Sequence, residues 1–313
     1  MNFLATLINV LIIVVLAVPG FVLRKAKLFS DKVASLLAVL LLYVSQPFLM
    51  MSSIFNKPFD PAMLSRFAWV LGFAIVLQLA VYFVAKLCFA GDKNVSAKRA
   101  AVASSYLGNV GFMGIPVMEM LFPGNDEMIL YTVVYNIVFN AMTWTLGVYA
   151  ITGERKRINP LKVFLNPPTI AVLIALPFFF CNVTIPEQVM MPIKYLGDMT
   201  LPLSMIILGV RLADMRPLRL IADVRVYIVA VLKLIVSPLL SLGILLLVDI
   251  IFPLDRFVMI ALFIIAAMPT ASSALNFAEM FGGDRETAAA STLMNTLLCI
   301  ITIPVLMLLC NFI

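Results

Sequence analysis

Apolar residues fill the chain in runs of about 20, separated by short polar stretches. Each run is apolar on every side, which predicts a helix in a uniformly greasy surrounding rather than one packed along a single stripe. About 20 helical residues cross roughly 30 Å of hydrocarbon. Ten such spans are predicted, at 3–23, 33–54, 63–89, 99–121, 128–152, 167–183, 192–212, 224–250, 257–281 and 287–311. The sixth is short and holds Pro167, Pro168 and Pro177, so its start is the least fixed. Membrane strands would alternate apolar and polar positions over about 10 residues, a pattern these runs lack. The expected fold is an all-α integral membrane bundle.

Composition agrees: 63% of residues are hydrophobic, 12% are charged and the mean hydropathy is +1.11, which leaves no room for a soluble domain. The first span has no basic residue before it, so it is expected to remain as a helix rather than act as a cleaved leader. Lysine and arginine crowd the odd-numbered connections, with Arg24, Lys25, Lys27 and Lys32 after the first span and Arg211, Arg216, Arg219 and Arg225 at the exit of the seventh. Of 22 basic residues, 17 fall on that side and only Lys57, Arg66, Lys194 and Arg256 on the other. The richer side is expected to be cytoplasmic, with both termini outside. The net charge of +6 describes this bias, and no nucleic-acid partner is expected.

The remaining basic residue, Lys233, lies inside the eighth span. An ionisable group at that depth costs at least about 2.5 kcal/mol and commonly faces a cavity. A repeat of roughly half the chain is also visible. Ser45-Gln46-Pro47 corresponds to Thr200-Leu201-Pro202, Gln78 to Lys233, Glu119-Met120 to Glu279-Met280, and Asn136 to Asn295. Five spans per copy place the second copy upside down, which predicts inverted repeats over 1–152 and 153–313.

Within that repeat two spans are interrupted. The fourth carries GNVGFMGIPVMEM from Gly108 to Met120, and the ninth carries MPTASSALNFAEMFGG from Met268 to Gly283. Glycine loosens a helix interior and proline removes a donor, so both spans should break near the bilayer centre. Broken backbone is tolerated there only where it lines protein or a wet cavity. Two crossed breaks would aim half-helix N-termini at one point, which suits an anion, while half-helix carbonyls suit a cation. The expected substrate contacts are Asn109, Gly111, Gly114, Lys233, Pro269, Thr270 and Ser272, with Gln46 and Asn136. Ser273, Asn276, Glu279, Asp198 and Asn295 are the expected ion-coupling residues.

The stretches GNVGFMGIP at 108–116, LKLIVSPLL at 232–240 and AAMPTASSALNFAEMFGG at 266–283 resemble the auxin efflux carrier family of bacterial and plant transporters, within the wider group that holds bile acid sodium symporters. The resemblance covers essentially the whole chain. It implies ten helices in two inverted five-helix repeats, with a scaffold of helices 1, 2, 6 and 7 and a core of helices 3–5 and 8–10, in which helices 4 and 9 cross where they unwind. It implies secondary transport of a carboxylate such as malate, malonate or indole acetic acid by an elevator-like movement. A homodimer through the scaffold and a place in a bacterial cytoplasmic membrane follow from the same likeness. The plant carriers have Asn-Pro-Asn at the first crossover, where this chain reads Gly-Asn-Val-Gly with its proline delayed to Pro116, and their long central loop is reduced to about 14 residues. Auxin itself is therefore a poor expectation.

Chemistry supports a small organic anion. No cofactor is expected beyond a coupling ion. The chain has no histidine, so a proton would need Asp198 or Glu279, whereas sodium would need oxygens such as those of Ser273, Asn276 and Glu279. The alternative is a cation/proton antiporter of similar fold, although adjacent aspartates are missing at the crossing. An enzyme is not expected, because HExxH, GxSxG and CxxC are absent. The 19 methionines are scattered, and Cys88, Cys181, Cys299 and Cys310 lack metal-ligand spacing, so neither a copper path nor another metal site is predicted.

Overall fold

The computed structural model describes residues 3–215 and 222–311; Arg216 and Arg219 lie outside them. The regular elements among the described residues are all helices, with no strand, and one isolated backbone bridge joins Gly108 to Thr270. Among the described residues, seven helices are long and apolar enough to cross a membrane. They are α1 (Thr6–Lys25), α2 (Val33–Ile54), α3 (Met63–Cys88), α6 (Asp126–Thr152), α8 (Glu187–Asp214), α9 (Val224–Ile251) and α12 (Arg285–Cys310). Between them lie shorter helices: α4 (Val95–Tyr106), α5 (Val110–Leu121), α7 (Pro167–Phe180), α10 (Arg256–Ala266) and α11 (Ser272–Phe281). The predicted fourth span is thus α4 and α5 with a break between them, and the predicted ninth is α10 and α11. The sixth is α7, which keeps Pro177 inside it.

Helix ends show why the chain folds locally as it does. Asn94, Asn125, Asn166, Asp223, Asp255 and Asp284 each accept a backbone N–H of the helix that follows. Such caps satisfy donors that the helix itself leaves open, and they stop the helices where the apolar runs stop.

Two packing groups are apparent. In one, α1 packs on α8, and α2 on both α7 and α8. The approach of α1 to α8 is close: a Cβ at Gly20 would overlap the Ile206 carbonyl, and one at Gly209 would overlap the Ala17 carbonyl. Small residues at such contacts are how membrane helices gain packing without a hydrophobic drive. In the other, α3 packs on α4 and α6, α10 on α6 and α9, and α12 on α4, α9 and α11. The helix α12 also packs along α1, which ties the groups together.

The connections gather into two sets. Asp31, Asn94, Asp214, Asp223 and Asp284 line one large cavity, so the stretches after α1, α3, α8 and α11 share an end of the molecule. The stretches after α2, α5 and α7 meet one another instead. Lys57 pairs with Asp126 at 2.5 Å, the Asn56 amide donates to the Ile185 carbonyl, and Asn182 accepts from the Phe59 amide and donates to its carbonyl. Those last two bonds use Asn182, the residue of the Asn-Val-Thr triplet, to hold two loops together.

Candidate functional site

The two interrupted segments meet. Leu107, Gly108 and Asn109 leave the helix after Tyr106, and residues 267–271 leave it after Ala266. The Asn109 amide donates to the Pro269 carbonyl at 2.7 Å, and the Ala271 amide donates to the Leu107 carbonyl at 2.8 Å. Each break therefore supplies the partners that the other lost when its helix stopped. Unpaired backbone in a bilayer costs several kcal/mol per group, so this exchange makes both breaks tolerable. Pro269 needs only its carbonyl here, and having no N–H it leaves no donor to satisfy.

Side chains then pin the crossing. The Thr270 hydroxyl donates to the Ser104 carbonyl at 2.8 Å and accepts from Asn295 Nδ2 at 2.5 Å. Lys233, which is buried, donates from Nζ to the Ala266 carbonyl at 3.2 Å, and the Ser237 hydroxyl donates to the same oxygen at 3.3 Å. That carbonyl closes α10, so the amine supplies a donor to a helix-end oxygen that has no partner within its own helix. A Cβ at Gly108 would lie 2.9 Å from Lys233 Nζ, so any larger residue there would push the end of the lysine side chain aside. Gln78, expected as the counterpart of Lys233, lines the same small internal cleft with Tyr106 and Tyr135.

On the other side of the break, Val110–Gly114 forms a wide π-helical turn. Gln46 and Asn136 approach Gly111, where an added Cβ would stand 2.6 Å from Gln46 Nε2 and 3.1 Å from Asn136 Oδ1. Asn136 donates to the Met50 sulfur at 3.3 Å while its oxygen is buried without a partner. Gly114 sits within ordinary contact of Thr132.

The structure also identifies a residue that sequence reasoning assigned to a connection. Arg211 belongs to the last turn of α8 and its side chain is only 13% exposed. Its Nη2 donates to Asn276 Oδ1 at 3.0 Å and lies 3.7 Å from Glu279 Oε2. It lines the large cavity of about 950 Å³ and also a small cleft that runs to Phe112, Ser204, Ser272 and Asn276. The signal available in the sequence was its position, one turn inside the end of an otherwise apolar run.

The predicted residues are not all brought together. Asn109, Pro269, Thr270 and Asn295 form one network, Gly111, Gln46 and Asn136 a second, and Ser272, Asn276 and Glu279 a third around Arg211. Asp198 lies outside all three, with its side chain exposed on α8, and makes none of these contacts. Sodium at Ser273, Asn276 and Glu279 also meets a difficulty: the Asn276 oxygen is taken by a guanidinium that carries its own positive charge. Ser273 Oγ is buried without a partner.

Both inner half-helices start uncapped. No side chain caps α5 at Asn109 or α11 at Ala271, in contrast to the Asn and Asp caps at seven other helix starts among the described residues, Asn159 included. Their first-turn amides, partial positive charges by geometry, lie on either side of the Gly108–Thr270 bridge. A family model described as membrane transport protein matches residues 5–307. No curated protein matches the chain.

Proposed function

Because the chain belongs to the auxin efflux carrier family of membrane transport proteins, we propose that it moves a small organic anion, in particular a carboxylate, across the membrane by alternating access. The observation that carries this reading is the pair of uncapped half-helix N-termini flanking the Gly108–Thr270 bridge. Backbone donors fixed in place and aimed across a break bind anions without a large reorganisation cost.

In this reading α1, α2, α7 and α8 are the scaffold, and the remaining helices are the core that carries the crossing past it like an elevator. The chain then counts as ten spans in two inverted repeats, 1–152 and 153–313, with α4–α5 and α10–α11 as the broken fourth and ninth. The large cavity opens among the connections richest in arginine and lysine, so it faces the cytoplasm, and both termini lie outside a bacterial cytoplasmic membrane. The Lys57–Asp126 pair closes the opposite end. Transport draws on a proton, sodium or the membrane potential, and two copies associate through the scaffold.

The test is thermal stability of the purified protein with small carboxylates or amines, each in sodium or potassium salt, followed by flux into proteoliposomes. A ligand that binds the folded state raises its melting temperature by mass action. Stabilisation and flux with a carboxylate support the carrier. A response confined to cations or to pH sinks it in favour of a cation/proton antiporter.

A further inference from the structure

We propose that Arg211 binds the substrate's carboxylate and that Glu279 is the internal carboxylate which the substrate displaces. The inference rests on the anion-carrier reading and assigns its charge recognition to a residue outside the crossing itself.

Four observations converge on Arg211. It is mostly buried, yet it reaches the large cavity, so a ligand entering that cavity meets it. It stands on α8, while both of its partners among the described residues, Asn276 and Glu279, stand on α11. Both partners are engaged by one nitrogen, Nη2, although a guanidinium offers five N–H donors in a fork that matches a carboxylate edge. The same side chain also lines the cleft leading to Ser272 and Phe112, beside the uncapped start of α11. A carboxylate held on the fork would have the Ser272 hydroxyl and first-turn amides on its other side.

Glu279 fits the part of a displaceable partner. At 3.7 Å it is a loose ion pair, and its side chain is 41% exposed towards the cavity. Other acids around the cavity are engaged elsewhere: Asp31 and Asp214 pair with Arg24 at 2.5 and 2.6 Å, and Asp223 pairs with Arg225 at 3.2 Å. A buried guanidinium left with no anion would be costly, so Glu279 covers it between transport cycles and competes with substrate for it. Since Arg211 and Asn276 belong to different packing groups, a carboxylate between them would also bridge the two bodies that must slide.

The experiment uses the full-length protein in detergent, with acetate and succinate as probes and succinamide as the uncharged control. Melting is followed for wild type, Arg211→Gln, Arg211→Lys and Glu279→Gln. The expected result is that a carboxylate stabilises wild type and succinamide does not. The concentration giving half the shift should rise about thirtyfold in Arg211→Gln, rise less in Arg211→Lys, and fall in Glu279→Gln. Wild-type affinity in a folded Arg211→Gln protein overturns this assignment and leaves the anion carrier standing. So does unchanged or weaker binding in Glu279→Gln, which decides the matter where Arg211→Gln fails to fold. If wild type answers to no carboxylate but responds to sodium or pH, the carrier reading itself falls.

Discussion

Lys233 donates to the carbonyl of Ala266 across 3.2 Å, so the one lysine buried in α9 is spent on closing α10. Replacing it by methionine keeps the bulk and strips a hydrogen-bond donor from a buried helix end. We predict a stability loss of about 1.5–3 kcal/mol, read as a lower melting temperature with and without ligand alike. A Lys233→Met protein that melts like wild type, yet binds carboxylate poorly, would instead place the ammonium in the substrate path.

Thr270 holds two bonds at once, to the Ser104 carbonyl and from Asn295. Thr270→Val should cost about 1–3 kcal/mol and slow transport, because it leaves a buried carbonyl and a buried amide unpaired. Thr270→Ser keeps the hydroxyl and should recover most of both. Equal losses in the two variants would point to the methyl group as what matters.

A side chain at Gly111 would crowd the Gln46 and Asn136 amides, so both would have to shift. Gly111→Ala is expected to reduce flux more than tenfold, with the two amides pushed aside by a few tenths of an ångström, an amount that costs heavily at a preorganised site. Gly243→Ala in α9 is the matched control. Nothing lies within 4 Å of its added Cβ, so it should be neutral or more stable by up to about 1 kcal/mol. Comparable flux in the two proteins would remove Gly111 from the site.

Outside the spans, Asp92 is gripped by the Arg225 guanidinium, with bonds of 2.5 and 3.0 Å, which lowers its carboxyl to about 2. Its unfolded value is about 3.9. A lowered acid stabilises the fold above the unfolded value and loses that contribution as pH falls towards the folded one. Melting temperature should therefore drop between about pH 4 and pH 2 in wild type, and Asp92→Asn should flatten that part of the curve while lowering the plateau above it.

Lys57 and Asp126 join the connection after α2 to the start of α6 at the end opposite the large cavity. Under alternating access that contact must open once per cycle. Lys57→Glu should raise the labelling rate of a cysteine placed behind the contact by a polar thiol reagent, and adding Asp126→Lys should restore protection. Unaltered labelling in the single variant would show that the pair closes nothing.

Much of this was legible in the sequence because the bilayer makes uniform demands. A run from Met63 to Cys88 has one solution in lipid, and the glycines and proline around Gly108 and Pro269 announce a break that only another break can satisfy. Charge was harder to place. Lys233 stood out because its neighbours are apolar, but its partner is a main-chain carbonyl, which no residue code announces. Arg211 was hidden for the opposite reason: one turn from a basic loop it looks like part of that loop, and only the fold shows it turned inward to Asn276. Asp198 was singled out by its depth along a helix, and depth says nothing about which side faces out; its side chain is exposed.

The pairing of Leu107 with Ala271 and of Asn109 with Pro269 also governs how the protein can be made. Translation delivers the first break long before the segment that completes it, so α4 and α5 must wait at the insertion machinery, or lean on borrowed partners, until the second half arrives. Assembly is therefore committed late, and a chain cut short after α9 would hold a membrane segment that cannot finish its own backbone.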